Sequence, residues 1–249
     1  MTGPREVWVV LGATSAVAKA FAREMAPGAD LLLCGRDADD LERQAADIRV
    51  RHGGRASFLS FDALDYGRHE DLVRQTLGFA AGARINLFLA FGDMPEQAAM
   101  DRDFDLARRA IETNYVGAVS VLSRFAPALE AQRAGSVVVV GSVAGDRGRL
   151  KNYVYGSAKA GLHAYVQGYR ARMHRAGVHV MTVKPGFMDT AMTWHLGKLP
   201  MAMQPAAFAS GVAKAVRARR DVVYAPWPWL GIMTIIRAVP ERVFKRTNI

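Results

Sequence analysis

The most constraining feature of this sequence is a strand, a tight turn and a helix in direct succession near its amino terminus. Val7 to Leu11 (VWVVL) is an unbroken apolar run without helical spacing, as expected of a parallel strand covered on both faces. Gly12 ends the run, and an amphipathic helical pattern follows within GATSAVAKAFAREM. The free amides and positive dipole at such a helix start accept a pyrophosphate. The segment predicts a dinucleotide-binding turn, with an ordinary strand-to-helix turn as the alternative.

The turn carries fewer glycines than the G-x-x-x-G-x-G pattern of such sites. Gly12 occupies the first place, and Ala16 and Ala18 stand where the second and third glycines are expected. Each added methyl narrows the space between backbone and phosphate, so this turn is weaker evidence than the full motif. The turn residues that we assign to the cofactor are Gly12, Thr14, Ser15, Ala16 and Val17.

Helical patterns alternate with short β-branched runs along the chain. Six further strands are predicted at Asp30–Cys34, Ala56–Ser60, Ile85–Phe91, Ser136–Val140, His179–Val183 and Asp221–Ala225. The 249 residues, 51% of them hydrophobic, can bury a full core, and no linker, repeat or low-complexity segment divides them. These features predict one α/β domain over residues 1–249.

Charge and cysteine content restrict the partners and the compartment. The net charge of +10 favours anionic ligands, but no nucleic-acid-binding pattern accompanies it, and we predict no nucleic-acid partner and no metal site. Cys34 is the single cysteine and is interpreted as a small buried hydrophobe in a reducing compartment. The beginning of the sequence lacks signal-peptide features, and no run reaches about 18 uncharged apolar residues. We therefore expect a cytoplasmic location.

The ends of the second, third and fourth strands are predicted to border the cofactor. After the second strand, Arg36 favours the 2′-phosphate of NADP(H), whereas Asp37 keeps NAD(H) open or caps the next helix. Asp62, followed by Ala63, is expected either to accept a hydrogen bond from the adenine amino group or to shape a turn. Ala90 and Gly92 follow the fourth strand.

A tyrosine, a lysine and a serine form a candidate proton-transfer group. Tyr155 and Lys159 are one helical turn apart, and Ser142 follows the fifth strand. The ammonium is expected to lower the pKa of the phenol towards working pH, although the same spacing also occurs in surface pairs. A helical pattern is predicted over about residues 96–132. Asn114 lies in an apolar part of it, where it either satisfies a kink or holds a water that passes protons to Lys159.

The loop after the sixth strand is predicted to shape the nicotinamide and substrate ends of the site. Pro185 and Gly186 would form the loop, and Thr190 could contact a phosphate. Residues 187–204 are interpreted as an apolar substrate lid, with core packing as the alternative. The lid residues assigned to the substrate are Met188, Met192 and Trp194. The basic loop GDRGRLKN places Arg147, Arg149 and Lys151 at the expected mouth of the site, where a substrate phosphate would bind, with a solvated loop as the alternative. Of the three, Arg147 is assigned to the substrate.

Several motifs together resemble the classical short-chain dehydrogenases/reductases over nearly the whole length. They are the Gly12 turn, Asp62, Asn114, Ser142, YGSAK with Tyr155 and Lys159, and Pro185–Gly186. The resemblance implies a Rossmann-type, doubly wound, seven-stranded parallel sheet of order 3-2-1-4-5-6-7 with helices on both faces. It implies that Ser142 orients the substrate oxygen and Tyr155 transfers the proton. Lys159 would lower the tyrosine pKa and bind the nicotinamide ribose, and Asn114 would support the relay.

The sequence departs from the family pattern at the end of the fourth strand, where LAFG replaces N-N-A-G. GATSAVA, FDALD, AFG and NYVYGSAKAGL resemble a branch of the family that reduces a 2-keto-pentose on a polyprenyl phosphate. This resemblance implies a flavoprotein oxidase as partner. Other carbonyl substrates, such as a 3-oxoacyl chain or a steroid, and a non-catalytic nucleotide sensor or scaffold are the alternatives.

Two segments are expected to contact a membrane surface or a second subunit. The apolar and basic tail over residues 226–249 would lie peripherally on the inner face of the cell membrane or pack on the protein's own core or a dimer partner. The helix that begins near Tyr153 is rich in small side chains that let another helix approach. A homodimer or homotetramer is therefore predicted.

Overall fold

The computed structural model describes residues 6–193, 197 and 199–247, and within them seven strands form one sheet. The strands are β1 (Glu6–Leu11), β2 (Asp30–Gly35), β3 (Ala56–Ser60), β4 (Arg84–Leu89), β5 (Ser136–Val140), β6 (His179–Pro185) and β7 (Val222–Ala225). All neighbouring pairs are parallel, and the order is β3-β2-β1-β4-β5-β6-β7. The predicted Rossmann-type sheet is confirmed.

Helices cover both faces of the sheet. They are α1 (Ala16–Met25), α2 (Ala38–His52), α3 (His69–Ala80), α4 (Gln97–Met100), α5 (Phe104–Ile111), α6 (Gly117–Gln132), α7 (Tyr153–Arg175), α8 (Pro205–Arg217), α9 (Pro228–Ala238) and α10 (Glu241–Phe244). The apolar sides of α3, α6 and α7 pack on one face of the sheet, and those of α1, α2 and α8 pack on the other. Of the helices described, none has the length and apolarity needed to cross a membrane.

The continuous apolar run of β1 is explained by this double cover. Val7, Val9 and Leu11 belong to the core on one face, while Trp8 and Val10 belong to the core on the other. Successive side chains of a strand point to opposite faces, so both sets must be apolar. All five residues are at most 1% exposed, as expected for a central strand.

The helical stretch predicted over residues 96–132 is divided in the structure. Asp103 caps α5 by accepting hydrogen bonds from the amides of Asp105 and Leu106, which separates α5 from α4. A π-helical turn over Glu112–Val116 then joins α5 to α6. The helical pattern predicted the element type but not these interruptions, because an N-cap aspartate and a π-turn change the backbone without removing the apolar periodicity.

Candidate active site

A cavity of about 460 Å³ lies where the loops after β1, β4, β5 and β6 meet. In open parallel sheets, ligands bind at these carboxyl ends. The predicted site residues that line the cavity are Thr14, Ser15, Ala16, Val17, Ala90, Gly92, Ser142, Tyr155, Lys159, Pro185, Gly186, Met188, Thr190 and Met192. The structure thus brings the predicted dinucleotide turn and the predicted proton-transfer residues to one cavity.

The turn after β1 requires its glycine. Gly12 has a φ of +81°, and a Cβ there would lie 2.7 Å from the backbone nitrogen of Phe91. Ser15 caps α1 by accepting a hydrogen bond from the amide of Ala18. Ala18 is fully buried in the core, so its methyl does not narrow the cavity; Ala16, by contrast, lines it. The turn therefore presents the amino terminus of α1 to the cavity despite having lost two glycines.

The loop after β5 and the start of α7 hold the serine, tyrosine and lysine together. The hydroxyl of Ser142 accepts a hydrogen bond from the Ala144 amide at 3.1 Å, and the Ser142 side chain also hydrogen-bonds to Tyr155. The ammonium of Lys159 donates to the Val140 carbonyl at 3.3 Å and lies 5.7 Å from the centre of the Tyr155 ring. A Cβ at Gly156 would lie 2.9 Å from the Ala144 carbonyl oxygen, so this glycine lets α7 approach the loop closely.

Burial dominates the pKa values of the pair. It raises the pKa of Tyr155 to about 12, which the hydrogen bond from Ser142 opposes, and it lowers the pKa of Lys159 to about 8. The expectation that Lys159 brings the tyrosine pKa down is wrong for this structure. The ammonium donates to the Val140 carbonyl, and the burial that raises the pKa of the phenol outweighs the hydrogen bond with Ser142 that lowers it.

Asn114 occupies the π-turn and is only 1% exposed. Its side-chain amide donates to the carbonyls of Asp93, at 2.6 Å, and Ala110, at 2.8 Å. Its Oδ1 atom is buried without a hydrogen-bond partner among the described residues. A Cβ at Gly92 would lie 2.6 Å from this oxygen and 3.5 Å from the Lys159 ammonium. Asn114 therefore stabilises the irregular backbone and leaves an acceptor close to Lys159, so the two alternatives for it are compatible.

The residues predicted to contact the adenosine end are dispersed. Arg36 is exposed directly after β2, and Asp37 caps α2 by accepting from the Asp40 amide at 3.0 Å. Asp62 lines a separate cavity of about 50 Å³ and accepts from the Leu64 amide, which is a turn role. Ala63 is buried where its carbonyl oxygen meets Gly117 of α6, and it lines neither cavity.

In the loop before α7, the structure brings Arg149 to the cavity and directs Arg147 away from it. Arg147 does not line the cavity: its guanidinium donates to Glu241 at 2.7 Å and to the Arg237 carbonyl, and it lies 4.3 Å above the Phe244 ring. Arg149 does line the cavity, and its Nε atom makes no hydrogen bond with a described residue. The assignment of Arg147 to the substrate is corrected, because the carboxyl-terminal helices already occupy this side chain.

Some residues of the predicted lid line the cavity, and others are buried in the protein core. Met188 is buried and bridges to Met203, whereas Met192 is 39% exposed at the cavity. Trp194 lies outside the described residues. Behind the lid, Trp229 of α9 packs edge-on against Phe187 and directly against Gly186, where a Cβ would lie 1.9 Å from the indole nitrogen. The interpretations as lid and as core packing therefore apply to different residues of one segment.

Several residues of the cavity wall received no individual role from the sequence, among them Phe187, Arg149 and Asn152. Phe187 lies in the predicted lid, Arg149 lies in the basic loop two residues from the assigned Arg147, and Asn152 precedes α7. For Asn152 a signal exists, since asparagine directly before a helical pattern marks its start. No local signal distinguishes Arg149 from Arg147, because the distinction depends on a helix about ninety residues further along.

Comparisons with known proteins identify the family of this chain. The family described as short chain dehydrogenase matches residues 6–199. An uncharacterized oxidoreductase of Mycobacterium tuberculosis is 35% identical over 238 residues, covering 96% of this chain and 95% of the relative. The chain therefore belongs to the short-chain dehydrogenase/reductase family and is an oxidoreductase of that family, as predicted.

Solved structures share the fold. A short-chain dehydrogenase/reductase of Burkholderia phymatum in complex with NAD aligns with a TM-score of 0.85 at 18% identity, covering all of this chain and 98% of that one. A short-chain dehydrogenase of Sphingobium yanoikuyae in complex with NADPH aligns with a TM-score of 0.78 at 22% identity, covering 95% and 96%. The same sheet therefore occurs in proteins that bind either dinucleotide.

Proposed function

We propose that this protein reduces a ketone to a secondary alcohol with NADPH and that Tyr155 donates the proton. The observation that carries the proposal is the meeting of Tyr155, Ser142 and Lys159 with the dinucleotide turn on one cavity wall. Burial raises the pKa of Tyr155 to about 12, so the phenol carries a proton at neutral pH and has one to donate. The Ser142 hydroxyl would hold the carbonyl oxygen beside it.

The residues present fit the dinucleotide that the family implies. Gly12 has the backbone conformation of a phosphate-binding turn, and the amino terminus of α1 lines the cavity. When bound there, NADPH supplies the hydride. Lys159 would hold the nicotinamide ribose, and the unpartnered oxygen of Asn114 would extend the proton path to Lys159. NADP(H) is favoured over NAD(H) because Arg36 is exposed beside the strand end while Asp37 is engaged as a helix cap.

The proposed substrate class is a 2-keto-pentose on a polyprenyl phosphate. The motifs resemble the reductase that completes the epimerisation of decaprenylphosphoryl ribose to the arabinose form, which works with a flavoprotein oxidase. Two features of the cavity support an anionic, partly apolar substrate: its wall includes Phe187, Met188 and Met192, and Arg149 has an unpartnered guanidinium nitrogen. An apolar wall also suits a 3-oxoacyl or steroid ketone, which is the second candidate.

A ketone panel with two matched arginine variants separates these candidates. NADPH consumption is measured with a polyprenyl-phosphate ketopentose and with an uncharged ketone of similar size. Arg149→Met should raise KM for the phosphorylated ketone by about 10- to 100-fold, the value of a charge-assisted hydrogen bond, and leave the uncharged ketone unaffected. Arg147→Met is the control, with an unchanged KM for both. Equal use of both ketones by the unaltered protein, or no effect of Arg149→Met, would favour the second candidate.

The carboxyl-terminal tail supports a peripheral membrane contact as part of this proposal. The inner sides of α9 and α10 are buried through Trp229, Met233 and Phe244, whereas Trp227 is 80% and Ile235 69% exposed. Basic residues accompany this outer face, namely Arg237, Arg242, Lys245 and Arg246. Such a surface suits anionic headgroups. Co-sedimentation with phosphatidylglycerol vesicles but not with phosphatidylcholine vesicles is expected, and equal recovery with both would contradict it.

The proposed homodimer would use α7. Gly156 and Gly161 of this helix pack within the chain, against Ala144 and Tyr115, so they do not require a second subunit. Ser157, Ala160 and Ala164 remain exposed and are small enough for another helix to approach. Ala160→Arg should convert the dimer to a monomer in sedimentation velocity, and a monomeric unaltered protein would remove the proposal.

A further inference from the structure

We propose that a buried network behind Ser142 positions this serine for the reaction and that His163 is the positioning residue in contact with it. The other members are Asp146, Lys184 and Tyr224. The inference rests on the proposed function, because it gives Ser142 a reason to be held in place. It concerns residues outside the tyrosine, lysine, serine and asparagine that the mechanism uses.

The network is a continuous chain of polar contacts. The backbone N–H of Ser142 donates to Nε2 of His163 at 3.4 Å, and Nδ1 of His163 lies 3.6 Å from Oδ1 of Asp146. Lys184 of β6 donates to the same carboxylate at 2.6 Å, and the hydroxyl of Tyr224 of β7 donates to its other oxygen at 2.7 Å. The side chains of Asp146 and His163 are 3% and 5% exposed, so water does not replace these contacts.

The histidine has a defined protonation state in this position. Burial, reinforced by the positive charge of Lys184, holds its pKa at about 3, so the ring is neutral at working pH. Because Nε2 accepts from Ser142, the proton of the neutral ring is on Nδ1, which faces Asp146. The buried carboxylate is balanced by the ammonium of Lys184. The contacts therefore favour one orientation of the ring.

Two glycines show that the loop is fitted to this ring. A Cβ at Gly141 would lie 2.3 Å from Nε2 of His163, and a Cβ at Gly145 would lie 2.8 Å from Cε1. The loop that carries Ser142 therefore closes around the histidine from both sides. Since the Ser142 side chain bonds to the Ala144 amide and to Tyr155, a shift of the serine backbone would move the hydroxyl away from the tyrosine.

A double-mutant cycle tests whether His163 acts through Ser142. His163→Leu should lower kcat by about 10- to 100-fold, the effect of a displacement of about 1 Å at a reacting group, without changing the dissociation constant of NADPH. In the Ser142→Ala background the same change should lower kcat by no more than about threefold, because the group it positions is already absent. His163→Gln, whose side-chain oxygen can accept from the Ser142 amide, should recover most of kcat.

The matched control is His179, a histidine of β6 that is 4% exposed and whose ring contacts the Arg220 carbonyl, away from the cavity. His179→Leu should lower the melting temperature and leave kcat unchanged per NADPH-binding site. If the double variant loses kcat by the product of the losses in His163→Leu and Ser142→Ala, the two residues act independently. That result would overturn the proposal and leave the proposed function intact. Full activity of Ser142→Ala would also overturn the proposal, because a serine that the reaction does not need cannot be positioned for it. Absence of NADPH-dependent ketone reduction by the unaltered protein would instead contradict the proposed function.

Discussion

The two ends of the cavity are built in different ways. At the dinucleotide end the wall includes one short segment, the turn after Gly12, with small side chains at the start of α1. At the other end the wall includes long side chains from the loop before α7 and from the lid, which α9 supports from behind through contacts such as Arg149 to Met233 and Phe187 to Trp229. The first end depends on local backbone geometry, and the second depends on contacts between distant segments.

This difference explains what a substitution can change at each end. The turn after β1 tolerates few residues other than glycine at position 12, because a side chain there would collide with the backbone of Phe91. The opposite end can exchange side chains without altering the sheet, since its residues come largely from loops that the carboxyl-terminal helices support. The cofactor end is therefore expected to be constant in chemistry, and the other end to determine the substrate.

The largest effect is expected where the two ends meet. Tyr155→Phe removes the proposed proton donor while keeping the ring, so kcat should fall by about 10²- to 10⁴-fold. The dissociation constant of NADPH, measured by fluorescence titration, should change by less than threefold. Normal turnover in this variant would show that the proton comes from another group.

At the dinucleotide end, Gly12→Ala should lower the free energy of unfolding by about 1–3 kcal/mol, because it combines a positive φ with a backbone collision. It should also weaken NADPH binding. Gly53→Ala is the control: it shares the positive φ but has open space around it, so it should cost only about 1 kcal/mol. Chemical denaturation measures the free energy of unfolding of both variants. Equal losses in the two would contradict a collision between a side chain at position 12 and the backbone of Phe91.

Lys159, which lies between the two ends, should lower the free energy of unfolding, because its charged form is buried. Burial lowers the pKa of Lys159 from 10.5 to about 8. The loss in the free energy of unfolding is therefore complete below about pH 8 and disappears as the pH rises from 8 to 10.5. Lys159→Met should therefore raise the free energy of unfolding at pH 7, by on the order of 3 kcal/mol at most, while lowering turnover by less than Tyr155→Phe does. Chemical denaturation of both proteins at pH 7 and pH 9.5 measures this gain in the free energy of unfolding, which should be smaller at pH 9.5. A gain that grows with pH would contradict the prediction.

The smallest effect is expected at the tail. Arg147→Met removes a half-exposed ion pair and a cation–π contact, which together contribute about 1 kcal/mol. The melting temperature should fall slightly, and NADPH affinity should not change. A large loss of NADPH affinity would mean that the tail also organises the dinucleotide end.

The sequence predicted the fold because its signals are local. The apolar run of β1 reflects burial on both faces, and Gly12 reflects a backbone conformation that few other residues adopt. A kink at Asn114 is one of the two alternatives that the sequence leaves open, but the π-turn itself is not predicted, because it keeps the apolar spacing. The direction of the Tyr155 pKa shift was also missed: spacing places a charge nearby but does not report burial. Arg147 was chosen over Arg149 because their difference arises from the distant α9 and α10.

The central claim is that the two ends of this cavity bring a hydride and a ketone together. NADPH carrying deuterium on the transferable position of its nicotinamide tests it most directly, with the ketone panel and mass analysis of the product in a single turnover. We predict that one deuterium appears on the carbinol carbon of the alcohol product. Tight NADPH binding without deuterium transfer to any ketone of the panel would contradict the claim and favour a nucleotide-binding role without turnover.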